Sequence, residues 1–380
     1  MFRMKSFLAI AFGVLFLGLV LSMQAQEVRV ERSAEHDFRI VPVVGGLDHP
    51  WGLAFLPNGG MLVTERSGQL RIVRDGVLDP KPIEGVPNVY ASGQGGLLDV
   101  ALHPNFQGNR LVYLSFAGRG AGGAGTEVVR GRLAGNRLAD VEVIFRVSPK
   151  TSGSNHYGSR LLFAPDGTLF ITTGDRYSYL NHAQDTGDHL GTIVRVRDDG
   201  SVPDDNPFVG HTGARPEIYS YGHRNVQGIA LRPGDNVIWA HEHGPRGGDE
   251  VNILKPGANY GWPAITYGID YSGAIISDKT EAPGMEQPVV YWDPSIAPSG
   301  MAFYDGDRFP NWRGDLFVGA LAHTHLRRLK LDGDRVVKQE VLLGKLNERI
   351  RDVRVGPDGL IYVLTDSGDG QILRLEPVAR

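Results

Sequence analysis

The chain contains no cysteine. That single absence removes disulfides, thiolate metal sites, a cysteine nucleophile and a lipidated cysteine together. Runs of Lys or Arg able to track a phosphate backbone are also missing, and the formal charge is only -4, so nucleic acid is not expected as a partner. Beyond the N-terminus, no apolar run is long enough to cross a bilayer. At the N-terminus itself, Arg3 and Lys5 precede an apolar stretch from Phe7 to Leu21, and Ser22-Met23-Gln24-Ala25 place small residues near a cut. Residues 1–25 read as a signal peptide, leaving 26–380 as a single periplasmic or secreted domain with no stable membrane span. An uncleaved anchor is the alternative, because Met23 is a poor residue three before a cut after Ala25.

Glycine is abundant instead, at 51 of 380 residues, with 23 prolines, and neither is confined to one stretch. Such a distribution suits many regularly spaced tight turns. Self-similarity bears this out: an apolar strand, a Pro-Asp-Gly-like turn and a second apolar strand recur six times. The turns fall at Pro57-Asn58-Gly59, Pro104-Asn105, Pro165-Asp166-Gly167, Pro233-Gly234-Asp235, Asp305-Gly306-Asp307 and Pro357-Asp358-Gly359. The spacing accommodates a four-stranded blade per copy, and radial repetition leaves only short sheet edges. The expected fold is an all-β six-bladed β-propeller. Strand-like sequence near Glu27 to Val43 is expected to close the ring against the last blade. The glycine-rich stretches 118–125, 177–189 and 269–286 are expected as loops, the longest at one rim.

Polar residues cluster between the strands. In the third copy, Ser154-Asn155-His156 precedes one strand and Gly174-Asp175 ends its partner, so pairing can bring His156 to Asp175. A carboxylate fixes an imidazole's tautomer and suits it to remove a hydroxyl proton. Taken alone, the pair is more simply a hydrogen bond tying a loop to a strand. The fourth copy carries Gly222-His223-Arg224-Asn225 and Glu242-His243-Gly244-Pro245, donors for oxygen anions beside a turn that can show carbonyls to a hard cation. His241 and His243 face one side of a strand, but without a third ligand at a compelling spacing they read as rim residues rather than zinc ligands. Arg349 and Arg351 share a strand face, as a solvated edge or as a carboxylate clamp.

Taken in order, Gln94-Gly95-Gly96-Leu97-Leu98, His156, Gly174-Asp175, Gly222-His223-Arg224-Asn225, Glu242-His243-Gly244-Pro245, Asp249-Glu250, Asn259-Tyr260-Gly261-Trp262-Pro263 and Arg349-Ile350-Arg351-Asp352 resemble a family. It is that of the soluble aldose sugar dehydrogenases dependent on pyrroloquinoline quinone (PQQ), the glucose/sorbosone dehydrogenase group, and the likeness covers roughly Val43 to Leu375. The resemblance implies His156 as general base with Asp175 as its partner, and Arg224 at the quinone carbonyls. It also implies Asn225 and Gln94 lining the cofactor, Arg349 and Arg351 holding it, and the carbonyls of Gly244 and Pro245 ligating Ca2+. The implied reaction oxidises the C1 hydroxyl of an aldose sugar to a lactone and passes electrons to an external acceptor. Tyr157, Tyr291 and Trp292 are expected to offer sugar-stacking rings on an open rim. One departure stands out: the family's lysine after a Gly-Ala-Leu strand is here Ala322, which His323 or His325 would replace only in part. The competing readings are a calcium-dependent propeller lactonase and a non-catalytic secreted binding propeller.

Overall fold

The computed structural model describes residues 29–379, and the expected signal peptide at 1–25 lies outside them. Six small antiparallel sheets stand around an axis, each a meander whose first strand lies innermost. The inner strands are Pro50–Phe55, Leu97–Leu102, Leu161–Phe163, Val226–Leu231, Pro298–Phe303 and Ile350–Val355, one for each repeat. They open blades 1 to 6, and each packs beside the next, with the sixth beside the first.

The repeats are legible because the turn after each inner strand has strict backbone needs. In blades 1, 3 and 6 that turn closes with the Gly59, Gly167 or Gly359 N–H donating to the carbonyl three residues back, at 2.9–3.0 Å. Each of these glycines has φ between +72° and +84°, a region costly for a residue with a Cβ. The Asn or Asp before each glycine accepts from the backbone two residues on, as at Asp166 Oδ1 from Thr168 N, 2.9 Å.

Closure is by strand pairing. Asp37–Leu47 runs antiparallel to Gly370–Val378, with Phe38 opposite Pro377 and Ile40 opposite Leu375, while Arg29–Arg32 pairs outside it. The first described strands thus complete the last sheet. Phe38, Ile40, Val44 and Leu47 point inward and are buried, whereas Arg39 alternates outward. The core consists of layers between adjacent blades, such as Leu62, Leu70 and Ile72 of blade 1 against Val112, Leu114 and Val129 of blade 2. Each such side chain contributes about 1.5–3 kcal/mol on full burial.

One expected loop is not a loop. Residues 118–125 continue a ladder in which Gly118 opposes Gly125 and Gly120 opposes Gly123. The glycines are needed there because side chains crowd the hairpin: a Cβ on Gly118 would lie 2.3 Å from the Glu127 carboxylate.

Adjacent blades are tied near the axis by buried hydroxyls. Thr172, at the end of the second strand of blade 3, donates to Val226 O of blade 4 (3.0 Å) and accepts from Arg160 N (2.9 Å). Thr172→Val keeps the shape but strands two buried backbone groups, so urea unfolding should show a loss of about 1–3 kcal/mol.

Candidate active site

At the end of the ring opposite the glycine turns, all six blades line one axial cavity of about 270 Å³. Gln94, Tyr157 and Arg351 reach it from the segments entering inner strands; Arg66, His243 and Ala322 reach it from turns after second strands. Antiparallel alternation puts both kinds of segment at the same rim.

The cavity wall is cationic. Arg351 Nη2 and Arg349 Nε share one oxygen of Asp366, at 2.9 and 3.2 Å. Burial would raise the Asp366 carboxyl, but the two guanidinium charges overcome it and hold it below the usual carboxylate range. Arg351 is buried and its Nε has no partner among the described residues. Beneath it, Arg160 lies 4.0 Å over the Trp51 ring and pairs with Asp352 at 2.9 Å.

Beside the cavity, His156 Nδ1 meets Asp175 Oδ1 at 2.6 Å, both groups buried. The expected pair is formed. Asp175 Oδ1 also accepts from Tyr177 N (2.7 Å), and Oδ2 from the Trp262 indole (2.8 Å). With its carboxylate so fully used as acceptor, Asp175 requires the proton on His156 Nδ1, which leaves Nε2 as a base. Burial, more than Asp175 can offset, and the charges of Arg224 and Arg176 hold the His156 imidazole below its ordinary value, so it is neutral at pH 7. Gln94 Oε1 accepts from His156 N (2.8 Å), joining the pair to the cavity wall. Asn225 Oδ1 accepts from Gly158 N (3.1 Å), while its buried Nδ2 has no partner among the described residues.

Arg224 stands in an adjoining recess of about 10 Å³ with Glu242, Gly244, Glu250 and Trp262. Its guanidinium lies 5.3 Å over the Trp262 ring, and Nη1 donates to Gly244 O (2.6 Å) and His243 O (3.2 Å). The Gly244 carbonyl is therefore held by Arg224, while Pro245 is buried against Gly268. Glu242 and Glu250 sit opposite each other in the ladder. Burial, then the charge of Glu242, pushes Glu250 up to about 8. His243 is also driven well below its ordinary value by burial, and its Nε2 donates to Pro298 O at 2.6 Å.

Ala322 lines the cavity, whereas neither His323 nor His325 does. Two of the three expected sugar platforms are not exposed. Trp292 is buried, its indole bonded to Gln339, because its register opposite Asp249 turns it into the core; Tyr157 is buried under Arg176, 3.6 Å over its ring. Tyr177 and Tyr271 are the exposed rings nearest the site: Tyr177 packs edge-on to His156, and Tyr271 lines the cavity. Trp262, Asp366 and Arg66 carry site contacts that motif reading left without a role. The available signal was positional for two of them, since Arg66 and Asp366 occupy the same turn of blades 1 and 6.

These parts make a six-bladed propeller with a guanidinium-walled axial cavity and a buried His–Asp pair beside it. The profile described as "Glucose / Sorbosone dehydrogenase" matches residues 47–374, and the chain belongs to that family of sugar-oxidising enzymes. Aldose sugar dehydrogenase YliI of Escherichia coli (strain K12) is 50% identical over 337 residues, covering 87% of this chain and 91% of the relative. The crystal structure of the soluble aldose sugar dehydrogenase from Escherichia coli in the apo-form superposes with a TM-score of 0.87 at 47% identity, covering 90% of this chain and 100% of that one. The PQQ-bound form of the aldose sugar dehydrogenase from Streptomyces coelicolor gives 0.73 at 30% identity, covering 92% and 98%.

The electrostatics of the pair are directly measurable. Nitrogen NMR of the ligand-free protein should find His156 as the Nδ1–H tautomer, titrating below 6.5. Asp175→Asn, which removes the opposing negative charge, should depress that value further.

Proposed function

We propose that this chain oxidises the C1 hydroxyl of aldose sugars to lactones with PQQ as cofactor. The observation that carries the reading is a buried, neutral His156, oriented by Asp175, beside an axial cavity walled by arginines. The cavity suits the cofactor's chemistry: it offers guanidinium groups to carboxylates, and the orphaned Arg351 Nε and Asn225 Nδ2 are donors awaiting an acceptor. Arg349, Arg351, Gln94 and Asn225 would hold PQQ, with Arg224 toward its carbonyls. When bound, PQQ supplies the two-electron acceptance that no side chain here can provide.

The protein's own part is positional and acid–base. His156 Nε2 takes the anomeric hydroxyl proton, and Asp175 stabilises the imidazolium that forms. Arg224 stabilises negative charge gathering on an oxygen beside it. We read the Gly244 and Pro245 carbonyls as ligands of Ca2+, whose hard-oxygen preference they meet. A lactonase would need the cation and His156, but would leave Arg349 and Arg351 facing an empty anion site. Residues 1–25 are proposed as an export signal, which places the single domain of 26–380 in the periplasm or outside the cell, where an external acceptor takes the electrons.

The test reconstitutes the purified mature chain with PQQ and Ca2+ and follows dye reduction on a panel of aldoses. His156→Ala should cost about 10²- to 10⁴-fold in turnover while quinone affinity changes little. Wild-type protein that neither binds quinone nor reduces dye under any condition would overturn the reading. Ala322→Lys adds a cation to the cavity wall and should tighten PQQ binding by about tenfold or more in an equilibrium titration.

A further inference from the structure

We infer that Arg66 is an anion-binding residue of the axial cavity and supplies the one uncommitted positive charge among the described residues that line it. This deepens the cofactor reading and rests on it. Arg66 lies in the turn after the second strand of blade 1 and lines the cavity half-buried. Its guanidinium makes no hydrogen bond or ion pair with any described residue, and the carboxylate that feels its charge, Asp48, pairs instead with His49 at 2.7 Å.

The other arginines around the site are spent. Arg349 and Arg351 share Asp366, Arg160 pairs with Asp352, and Arg224 donates to two carbonyls. Against a ligand with several carboxylates, the two arginines on Asp366 offer their residual field, while Arg66 offers a whole charge in a partly dry site.

Local backbone is arranged to admit the Arg66 stem. A Cβ on Gly96 would lie 2.0 Å from Arg66 O and 2.7 Å from Arg66 Cγ, and Gly96 has φ +149°. The second glycine of Gln94-Gly95-Gly96 is thus the space through which Arg66 reaches the cavity. An aromatic polycarboxylate is the ligand class that this wall fits.

The experiment titrates the ligand-free mature chain with PQQ and, separately, with redox-inert benzene-1,3,5-tricarboxylate, following tryptophan fluorescence because Trp51 lines the cavity. Arg66→Gln should weaken both ligands by about tenfold or more and flatten the salt dependence of binding, while Arg66→Lys stays within a few-fold. Ligand-free melting temperatures should match wild type; if Arg66→Gln melts lower, Arg66→Met carries the same comparison. Equal PQQ affinity in wild type and Arg66→Gln would overturn the role of Arg66 and leave the cofactor reading standing. Arg66-dependent binding of the tricarboxylate without any binding of PQQ would do the reverse. Wild type that binds neither ligand would remove both.

Discussion

Inter-blade hydrogen bonds near the axis are the constraint on which the rest of this structure depends. Thr64 donates to Leu98 O, Ser115 to Ser159 O at 2.6 Å, Thr172 to Val226 O at 3.0 Å and Ser299 to Ile350 O at 2.5 Å. Carboxylates do the same work toward backbone N–H groups: Asp99 accepts from Leu161 N and Asp352 from Leu53 N. All of these side chains are buried, so each lost partner would leave a dry polar group costing about 1–3 kcal/mol. No blade contains the site; the site exists only because neighbouring blades are held at fixed angles. Pairing of Asp37–Leu47 with Gly370–Val378 then makes the ring close on itself.

Charge is distributed with the same economy. Deep in the channel, the buried Asp99 and Asp352 face the buried Arg160 and the partly exposed Arg354, so positive and negative groups are matched there. Toward the rim the matching fails: Arg349 and Arg351 share one carboxylate, Asp366, and Arg66 lines the same cavity with no ion pair to any described residue. Unmatched cations at the mouth of a partly dry cavity are stabilised once an anion enters. In the recess beside Arg224 the imbalance is of the other sign, with Glu242 opposite Glu250, which burial and then the charge of Glu242 raise to about 8.

How much of this could be read from residues alone follows from which positions have one physical solution. The turn after each inner strand needs a left-handed residue and an Asx acceptor, so its signature recurs, and blade number and closure followed. The rim turns obey no such rule. The turns after the second strands carry Arg66, Asp175, His243, Ala322 and Asp366, four different chemistries at five equivalent places, and only repeat alignment relates them. Trp262 was harder still. It belongs to the long connection from Ile253 to Val290, which begins at the opposite end of blade 4 and returns to the rim to meet Asp175, a path with no periodicity. Trp292 was misplaced for the opposite reason: in a strand, a shift of one residue exchanges rim and core faces.

The backbone around His156 shows why this imidazole must straddle two blades. His156, Gly158 and Ser159 all have positive φ, at +53°, +60° and +80°, in a stretch of four residues. For residues with a Cβ such conformations persist only where surroundings over-determine them. Here blade 2 holds the carbonyls, through Thr126 to Tyr157 O (2.5 Å) and Ser115 to Ser159 O (2.6 Å). Blade 3 grips the same segment from the other side, with Arg176 donating to Asn155 O and to Gly153 O, and with Asp175 on the imidazole. A Cβ on Gly158 would meet the Thr173 backbone at 2.6 Å, so the segment cannot relax toward blade 3. The strained His156 segment is thus fixed by the seam between blades, and its place beside the axial cavity depends on that seam remaining closed.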